Sequence, residues 1–250
     1  MAYRGHIVDA NTWALWRFDE GSGGATTDLV SGYVLTFSGT NASVWSAGQI
    51  NYAHTFNGSN DLGRTAAADS ATRTMLLGDW TIEALINRTA GQTDGFGTIW
   101  AYAAAGEGED TNALADLSIG TTGRILYYWE RSAGTDVTGN TTDTISDGAW
   151  HHVAITKKYN GVNYDVIAYI DGAPSQTFSG LLNATGGTNT GMRMATGVYG
   201  GSTTDRFKGL IDEIRVSSVA RTADEIYDSY WNCFNNSVPC RINTLSRRRP

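Results

Sequence analysis

Apolar and polar residues alternate with a period of two along most of this chain, in short runs separated by glycine-rich turns. Such alternation places successive side chains on opposite faces of a sheet. The clearest case is Asp147 to Gly172, DGAWHHVAITKKYNGVNYDVIAYIDG. Trp150, His152, Ala154 and Thr156 share one side of the first run, and His151, Val153 and Ile155 the other. In the second run Val166, Ala168 and Ile170 oppose Ile167, Tyr169 and Asp171. Asn160-Gly161 lies between them, and Asn-Gly is a strong hairpin signal because both residues tolerate positive φ. Asp171-Gly172-Ala173-Pro174 supplies a second turn. The stretch therefore predicts a long antiparallel hairpin with one face on a core.

The same pattern predicts strands at Trp13 to Phe18, Tyr33 to Phe37, Ala53 to Phe56, Asp79 to Arg88, Phe96 to Tyr102, Leu114 to Ile119 and Arg124 to Glu130. Three more follow the hairpin, at Ser175 to Ser179, Met192 to Val198 and Lys208 to Val216. One helix is predicted, Thr222 to Trp231, with Thr222 and Glu225 spaced as a capping box. Many strands and no linker imply two packed antiparallel sheets in one domain. The expected organisation is an N-terminal arm at 1–12, the sandwich at 13–231 and a tail at 232–250.

Composition supports this. Of 250 residues, 41% are hydrophobic, 30 are Gly and only 3 are Pro, which suits short strands and glycine turns rather than a helical bundle. No apolar run is long enough to span a membrane as a helix. The net charge of −7 disfavours nucleic acid as a partner. The tail is the exception, carrying Arg241, Arg247, Arg248 and Arg249 and no acid. It reads as a solvated segment or as a docking arm for an acidic surface. Cys233 and Cys240 are spaced for a small disulfide loop, and free thiols suit the sequence equally; two cysteines are too few for a structural zinc site. The N-terminus lacks a long apolar stretch and is not expected to be a secretory signal.

Five segments follow in order: ALWRFDEGSG with Asp28 and Ser31-Gly32, HTFNGSNDL, DWTIEALI, DGAWHHVAITKK with YIDG, and FKGLIDEIRVSSVARTADEI. Together they resemble the laminin-G-like, concanavalin A-like jelly-roll sandwich. The resemblance covers roughly Thr12 to Tyr230. It implies an all-β, two-sheet antiparallel jelly roll with one short C-terminal helix, a fold that hosts several unrelated functions. Ile7-Val8-Asp9 ahead of ALWRFDEGSG also resembles such domains in bacteriophage structural proteins. That resemblance implies a virion component, assembled in a host cell and released by lysis. Its partners would be other virion proteins, reached through the arm and the tail, and cell-surface glycans, with further copies of the chain as another candidate. The alternative is an extracellular carbohydrate-binding or adhesion module outside any virion.

Glycanases need two carboxylates about 5 Å apart for retention, and on a strand these fall at i and i+2 or i+4. No strand shows that pattern. Glu107 and Glu109 have the spacing but sit among glycines in a loop, while Asp212-Glu213 and Asp224-Glu225 are adjacent and point apart. His151 and His152 are adjacent too and cannot chelate one ion together. The chain is therefore expected not to be an enzyme. Asp212 shares parity with Leu210, Ile214 and Val216, so it is expected to point toward a core and to need a partner. The family resemblance implies a structural Ca²⁺ held by Asp19 or Glu20, Asp28 and Asp212. The other reading is that Asp212 accepts hydrogen bonds from the first strand. For sugar binding, Ile125, Tyr127 and Trp129 share one face of an aromatic strand, and Leu126 and Tyr128 the other. Tyr127 and Trp129 are the candidate stacking residues, whereas Trp16, Trp80 and Trp150 are assigned to packing.

Overall fold

The computed structural model describes residues 4–65, 70–91, 96–104, 113–129, 131, 137–184, 190–194 and 206–235. The first half contains β1 (Thr12–Trp16), β2 (Ala25–Thr27), β3 (Val34–Ser38), β4 (Trp45–Ala47), β5 (Tyr52–Asn57), β6 (Leu62–Thr65), α1 (Ser70–Leu76), β7 (Trp80–Arg88), β8 (Phe96–Ala104) and β9 (Ala115–Gly120). There follow β10 (Arg124–Trp129), β11 (Val137–Thr144), β12 (Trp150–Tyr159), β13 (Tyr164–Ile170), β14 (Ala173–Leu181), β15 (Thr190–Met194), β16 (Lys208–Ser217) and α2 (Ala223–Phe234).

The strands form two antiparallel sheets. The first runs β14-β13-β12-β7-β16-β5-β4, with β1 also on β16, and the second runs β11-β10-β9-β8-β15-β6-β3-β2. Between them lies the main core. The first sheet contributes Trp80, Ile82, Ala84 and Ile86 from β7 and Val153 and Ile155 from β12. The second contributes Trp100, Leu117, Ile119, Ile125, Tyr127 and Trp129. Trp16 and Trp80 pack there as expected, whereas Trp150 is only half-buried and packs beside Ile50, Leu85 and Cys233 on the outer side of the first sheet.

The hairpin forms, and its turns refine the expectation. Tyr159 pairs with Tyr164, so the loop holds four residues rather than an Asn-Gly pair. The Asn160 side chain accepts from the Val162 and Asn163 N–H groups at 3.1 and 3.0 Å, an Asx arrangement that adds to the backbone bond from the Asn160 N–H to the Asn163 carbonyl at 2.9 Å. The second turn is the two-residue one. Ile170 pairs with Ala173, and Asp171 and Gly172 take φ of 50° and 77°, the left-handed pair of a type I′ turn.

Strand β16 changes partner partway along. Lys208 to Ile211 pair with β5, and Ile214 to Ser217 pair with β1. A bulge between Asp212 and Arg215 shifts the register against β7, with Glu213 at φ 48°. Bulges insert a residue and reset side-chain parity. Ile211 and Ile214 therefore both face the core, and Asp212 does not. Its expected core-facing parity with Ile214 and Val216 is corrected on this ground.

Both faces of the hairpin are covered, because α2 packs on the outer side of the first sheet. Ile226 meets Ala154 and Tyr169 there, and Cys233 meets Leu85 and Ile50. The capping box is present, with the Glu225 N–H donating to Thr222 Oγ1 and the Thr222 N–H donating to Glu225 Oε2. The helix runs past Trp231 to Phe234, so the first residues assigned to the tail belong to it. Arg241, Arg247, Arg248, Arg249 and Cys240 lie outside the described residues, as do Glu107 and Glu109. Cys233 is a buried free thiol.

Lys157, on β12, is fully buried at the end of the core. Its Nζ donates to Asn183 Oδ1 at 2.7 Å and to the Leu76 carbonyl at 3.2 Å. It lies 4.2 Å from the Tyr164 ring centre and 5.5 and 5.8 Å from the rings of Trp129 and Trp80. Burial lowers its pKa from 10.5 to about 7, opposed only in part by Asp79. Between those values the unfolded chain binds more protons than the folded one, so this group makes stability rise with pH from 7 to 10.5. We expect Lys157→Met to remove that slope in urea titrations across the interval, while wild type retains it.

Candidate functional site

The outer face of the first sheet is closed over a buried ionic network. Glu83 sits at the centre of β7 with Thr81 and Leu85, away from the core. Its Oε1 accepts from Arg215 Nη2 at 2.6 Å and Nε at 3.1 Å, and its Oε2 lies 3.2 Å from His152 Nε2. Arg221 Nε approaches Oε1 to 3.7 Å. Arg221 in turn forks onto Asp9, with Nη1 to Oδ2 at 2.8 Å and Nη2 to Oδ1 at 2.9 Å. Burial alone would raise the Glu83 pKa, but the Arg215 guanidinium and the His152 hydrogen bond hold it well below the ordinary 4.5.

The N-terminal segment forms part of this closure. Arg4 Nη2 donates to the Cys233 carbonyl at 3.0 Å, the His6 N–H to Glu213 Oε2 at 2.9 Å, and Arg215 Nη1 to the Ile7 carbonyl at 3.1 Å. His6 is wholly buried. Arg4, His6, Ile7 and Asp9 of the expected N-terminal arm are thus bonded to their own domain.

A second constellation lies where β16 changes partner. Asp212 is buried; its Oδ2 accepts from the Ile50 N–H at 3.0 Å, and its Oδ1 has no hydrogen-bond partner. Asp19 Oδ1 is buried and unpartnered as well. Burial, then the carboxylates of Glu213 and Asp19, pushes the Asp212 pKa well above 3.8. Left-handed backbone surrounds the notch, at Phe18, Asn51 and Glu213. Gly48 admits the carboxylate, since a Cβ there would lie 2.8 Å from Asp212 Oδ2 and 2.4 Å from the Tyr52 carbonyl. Each of these two carboxylates keeps a buried oxygen without a hydrogen-bond partner, the kind of atom that a hard, oxygen-seeking cation takes up. Asp28 does not belong with them. Its Oδ1 accepts from Val30 and Ser31 N–H at 2.8 and 3.0 Å and its Oδ2 from Tyr33 N–H at 2.6 Å, so the expectation of a third ligand there is corrected to a turn-capping role. Glu20 is exposed and accepts from the Thr27 N–H at 3.2 Å.

The outer face of the second sheet is built differently. Tyr127 and Trp129 point into the core, 2% and 0% exposed, and Trp129 Nε1 donates to the Leu182 carbonyl at 3.0 Å. Neither presents a ring for sugar stacking, and their candidacy is corrected. The opposite face carries Leu126 and Tyr128 from β10, Asp116 and Ser118 from β9, and Ala101 from β8. Tyr128 packs with Ala101 and Ala113. Ser118 Oγ donates to Asp116 Oδ1 and contacts Thr98 Oγ1 at 3.4 Å. A carboxylate, two hydroxyls and an aromatic ring thus share the side away from the core.

His151 makes a fourth arrangement. Its Nε2 is 2.9 Å from Ser146 Oγ and its Nδ1 2.9 Å from Asp171 Oδ2. The order is that of a nucleophile, base and orienting acid. Its role here is to hold turns, because Asp171 Oδ1 also accepts the His152 N–H at 3.0 Å, and Ser146 lies exposed in the loop before β12.

Among the described residues, two eight-stranded antiparallel sheets around one core, closed by a C-terminal helix, define a lectin-like jelly-roll sandwich. The family model for the concanavalin A-like lectin/glucanases superfamily matches residues 57–227, and the chain belongs to that family. No curated protein sequence matches it. Among solved structures, domain 4 of AbnA, a GH43 extracellular arabinanase from Geobacillus stearothermophilus, in complex with arabinotriose, is similar. Its TM-score is 0.61 at 20% identity, covering 89% of this chain and all of that one. The botulinum neurotoxin type G receptor binding domain is similar at 15% identity and TM-score 0.58; 88% of this chain spans 51%, about half, of that domain. The Ruminococcus gnavus IT-sialidase CBM40 bound to α2,3-sialyllactose is similar at 12% identity and TM-score 0.56, covering 70% of this chain and 94% of that one. These likenesses are of fold.

Replacing Glu83 by Gln leaves Arg215 buried without its counter-charge. We expect a loss on the order of 3–5 kcal/mol near neutral pH, read by urea unfolding. Because the folded pKa is depressed, the wild-type advantage is complete above 4.5 and fades as the pH falls through the lower folded value. A wild-type advantage that grew on acidification would contradict this assignment.

Proposed function

We propose that the protein is a non-catalytic glycan-binding module. One observation carries this reading: the chain has the lectin-like jelly-roll fold, built as two packed antiparallel sheets. Asp116, Ser118, Thr98 and Tyr128 on the outer side of the second sheet are buried, as Tyr127 and Trp129 are, so none of them is assigned to the ligand. Three structures similar in fold carry support, since two are described with bound oligosaccharides and one as a receptor binding domain. Attachment to a phage particle rests on the resemblance of the opening residues alone. It would run through the N-terminal arm, where Ile7 and Val8 are exposed, and through the basic tail. Detection of the chain in purified virions tests it, and its absence there removes it.

A glycan array on the full chain should identify a ligand. An array without any ligand would remove the reading, and turnover of any bound glycan would make the protein an enzyme.

We further propose that Asp19 and Asp212 hold a structural Ca²⁺, which would neutralise their opposed carboxylates and tie the β1 exit to the bulge of β16. At a hundredfold excess over Kd the gain is about 2.7 kcal/mol, roughly 5–10 °C in Tm for a domain of this size. Asp212→Asn should abolish the response. Asp28→Asn should lower Tm yet keep it. A Tm indifferent to Ca²⁺ in wild type would refute the site.

A further inference from the structure

His6, Glu83 and His152 each bring one donor atom to a common point, all within 4.8 Å of one another, and all three residues are buried. Two features set this group apart from an ordinary ionic network. Both ring nitrogens of His6 lack a hydrogen-bond partner, as does Nδ1 of His152. An unpartnered buried nitrogen is unfavourable, and buried imidazoles ordinarily find a partner. The backbone also fixes His6 on both sides. Its own N–H is held by Glu213, and the Ile7 carbonyl by Arg215, so the ring is directed inward, 5.6 Å from that of His152.

We propose that His6, His152 and Glu83 form a buried site for a divalent transition metal of the zinc class, closed when the N-terminal segment docks on the sheet. Two imidazole nitrogens and one carboxylate oxygen suit zinc and its neighbours and do not suit Ca²⁺ or Mg²⁺. Burial, then Arg215, lowers the His6 pKa well below 6.5, which keeps the ring in the neutral form a metal needs. Arg215 takes Glu83 Oε1 alone and so orients Oε2 toward the histidines, as outer hydrogen bonds orient metal-binding carboxylates. The guanidiniums of Arg215 and Arg221 are offset by the carboxylates of Glu83, Asp9 and Glu213, which bond to them or line the same space. Three protein donors leave a fourth position for water. The site is separate from the Asp19–Asp212 notch, which offers only oxygen.

The test uses the full chain, stripped with EDTA, incubated with Zn²⁺ and passed through gel filtration before metal analysis. Wild type should retain one equivalent per chain and gain Tm. His6→Ala should retain none, while His151→Ala, which removes an imidazole outside the cluster, and Asp212→Asn, which removes the other candidate ligand, should retain it. Wild type that retains no zinc, or His6→Ala that retains as much as wild type, overturns the proposal. Should His6→Ala fail to fold by circular dichroism, Co²⁺ added to wild type decides. Strong visible d–d bands from a four-coordinate ion support the site, and a spectrum like that of aqueous Co²⁺ overturns it.

Discussion

The architecture turns on one buried carboxylate. Glu83 lies in the middle of the central strand of the first sheet, and removing it from water costs several kcal/mol. That cost is met by geometry from four directions: Arg215 from β16, His152 from β12, Arg221 from the segment before α2, and the His6 segment above. Each of these groups is itself held. Arg221 forks onto Asp9, and Arg215 also donates to the Ile7 carbonyl and to Ser229 on α2. A charge that must be paired in the interior therefore specifies where the helix and the N-terminal segment sit. Apolar contacts such as Ile226 on Ala154 add area to this docking but not direction.

The second constraint is the bulge at Asp212 and Glu213. One edge of β16 serves two partners, β5 and then β1. A strand cannot switch partners on one edge without a gap, and at this gap the Gly48–Asn51 turn meets Asp212. Of the four described non-glycine residues at positive φ, three, Phe18, Asn51 and Glu213, lie in the β1 exit, this turn and the bulge. Backbone in that region is costly for residues other than glycine and persists where its surroundings over-determine it. An orphaned Asp212 oxygen in the same place makes the notch a point of electrostatic tension rather than a passive joint.

Much of this was legible in the residues. Alternation located the hairpin and the long strands, and Thr222 with Glu225 located the helix start. What alternation could not decide was which face of β10 is inside. Ile125, Tyr127 and Trp129 and their alternates Leu126 and Tyr128 are both apolar enough to be buried, and both sets are. The neighbouring β9 held the missing signal, because Asp116 and Ser118 oppose Leu117 and Ile119 and so mark the outer side. The bulge was invisible because its residue count is a property of the pairing, not of β16 alone. Strands β2, β4 and β6 are three or four residues long, too short for a period to show. Glu83 was readable as the one acid of β7, set between Ile82 and Ala84. Its partners were not, since Arg215, His152 and His6 meet it only through tertiary structure.

The two outer faces are held by different kinds of polar contact. The first is sealed by ion pairs whose breakage leaves charges buried, so a ligand could enter only by undoing the network that fixes the helix. The second also buries polar groups, among them Asp116, Ser118 and Thr98, and there the Ser118 hydroxyl donates to the Asp116 carboxylate. Removing one partner of a buried polar pair leaves the other unsatisfied, at a cost of about 1–3 kcal/mol. Rigidity therefore extends over both faces, through ion pairs on the first and a hydroxyl–carboxylate bond on the second.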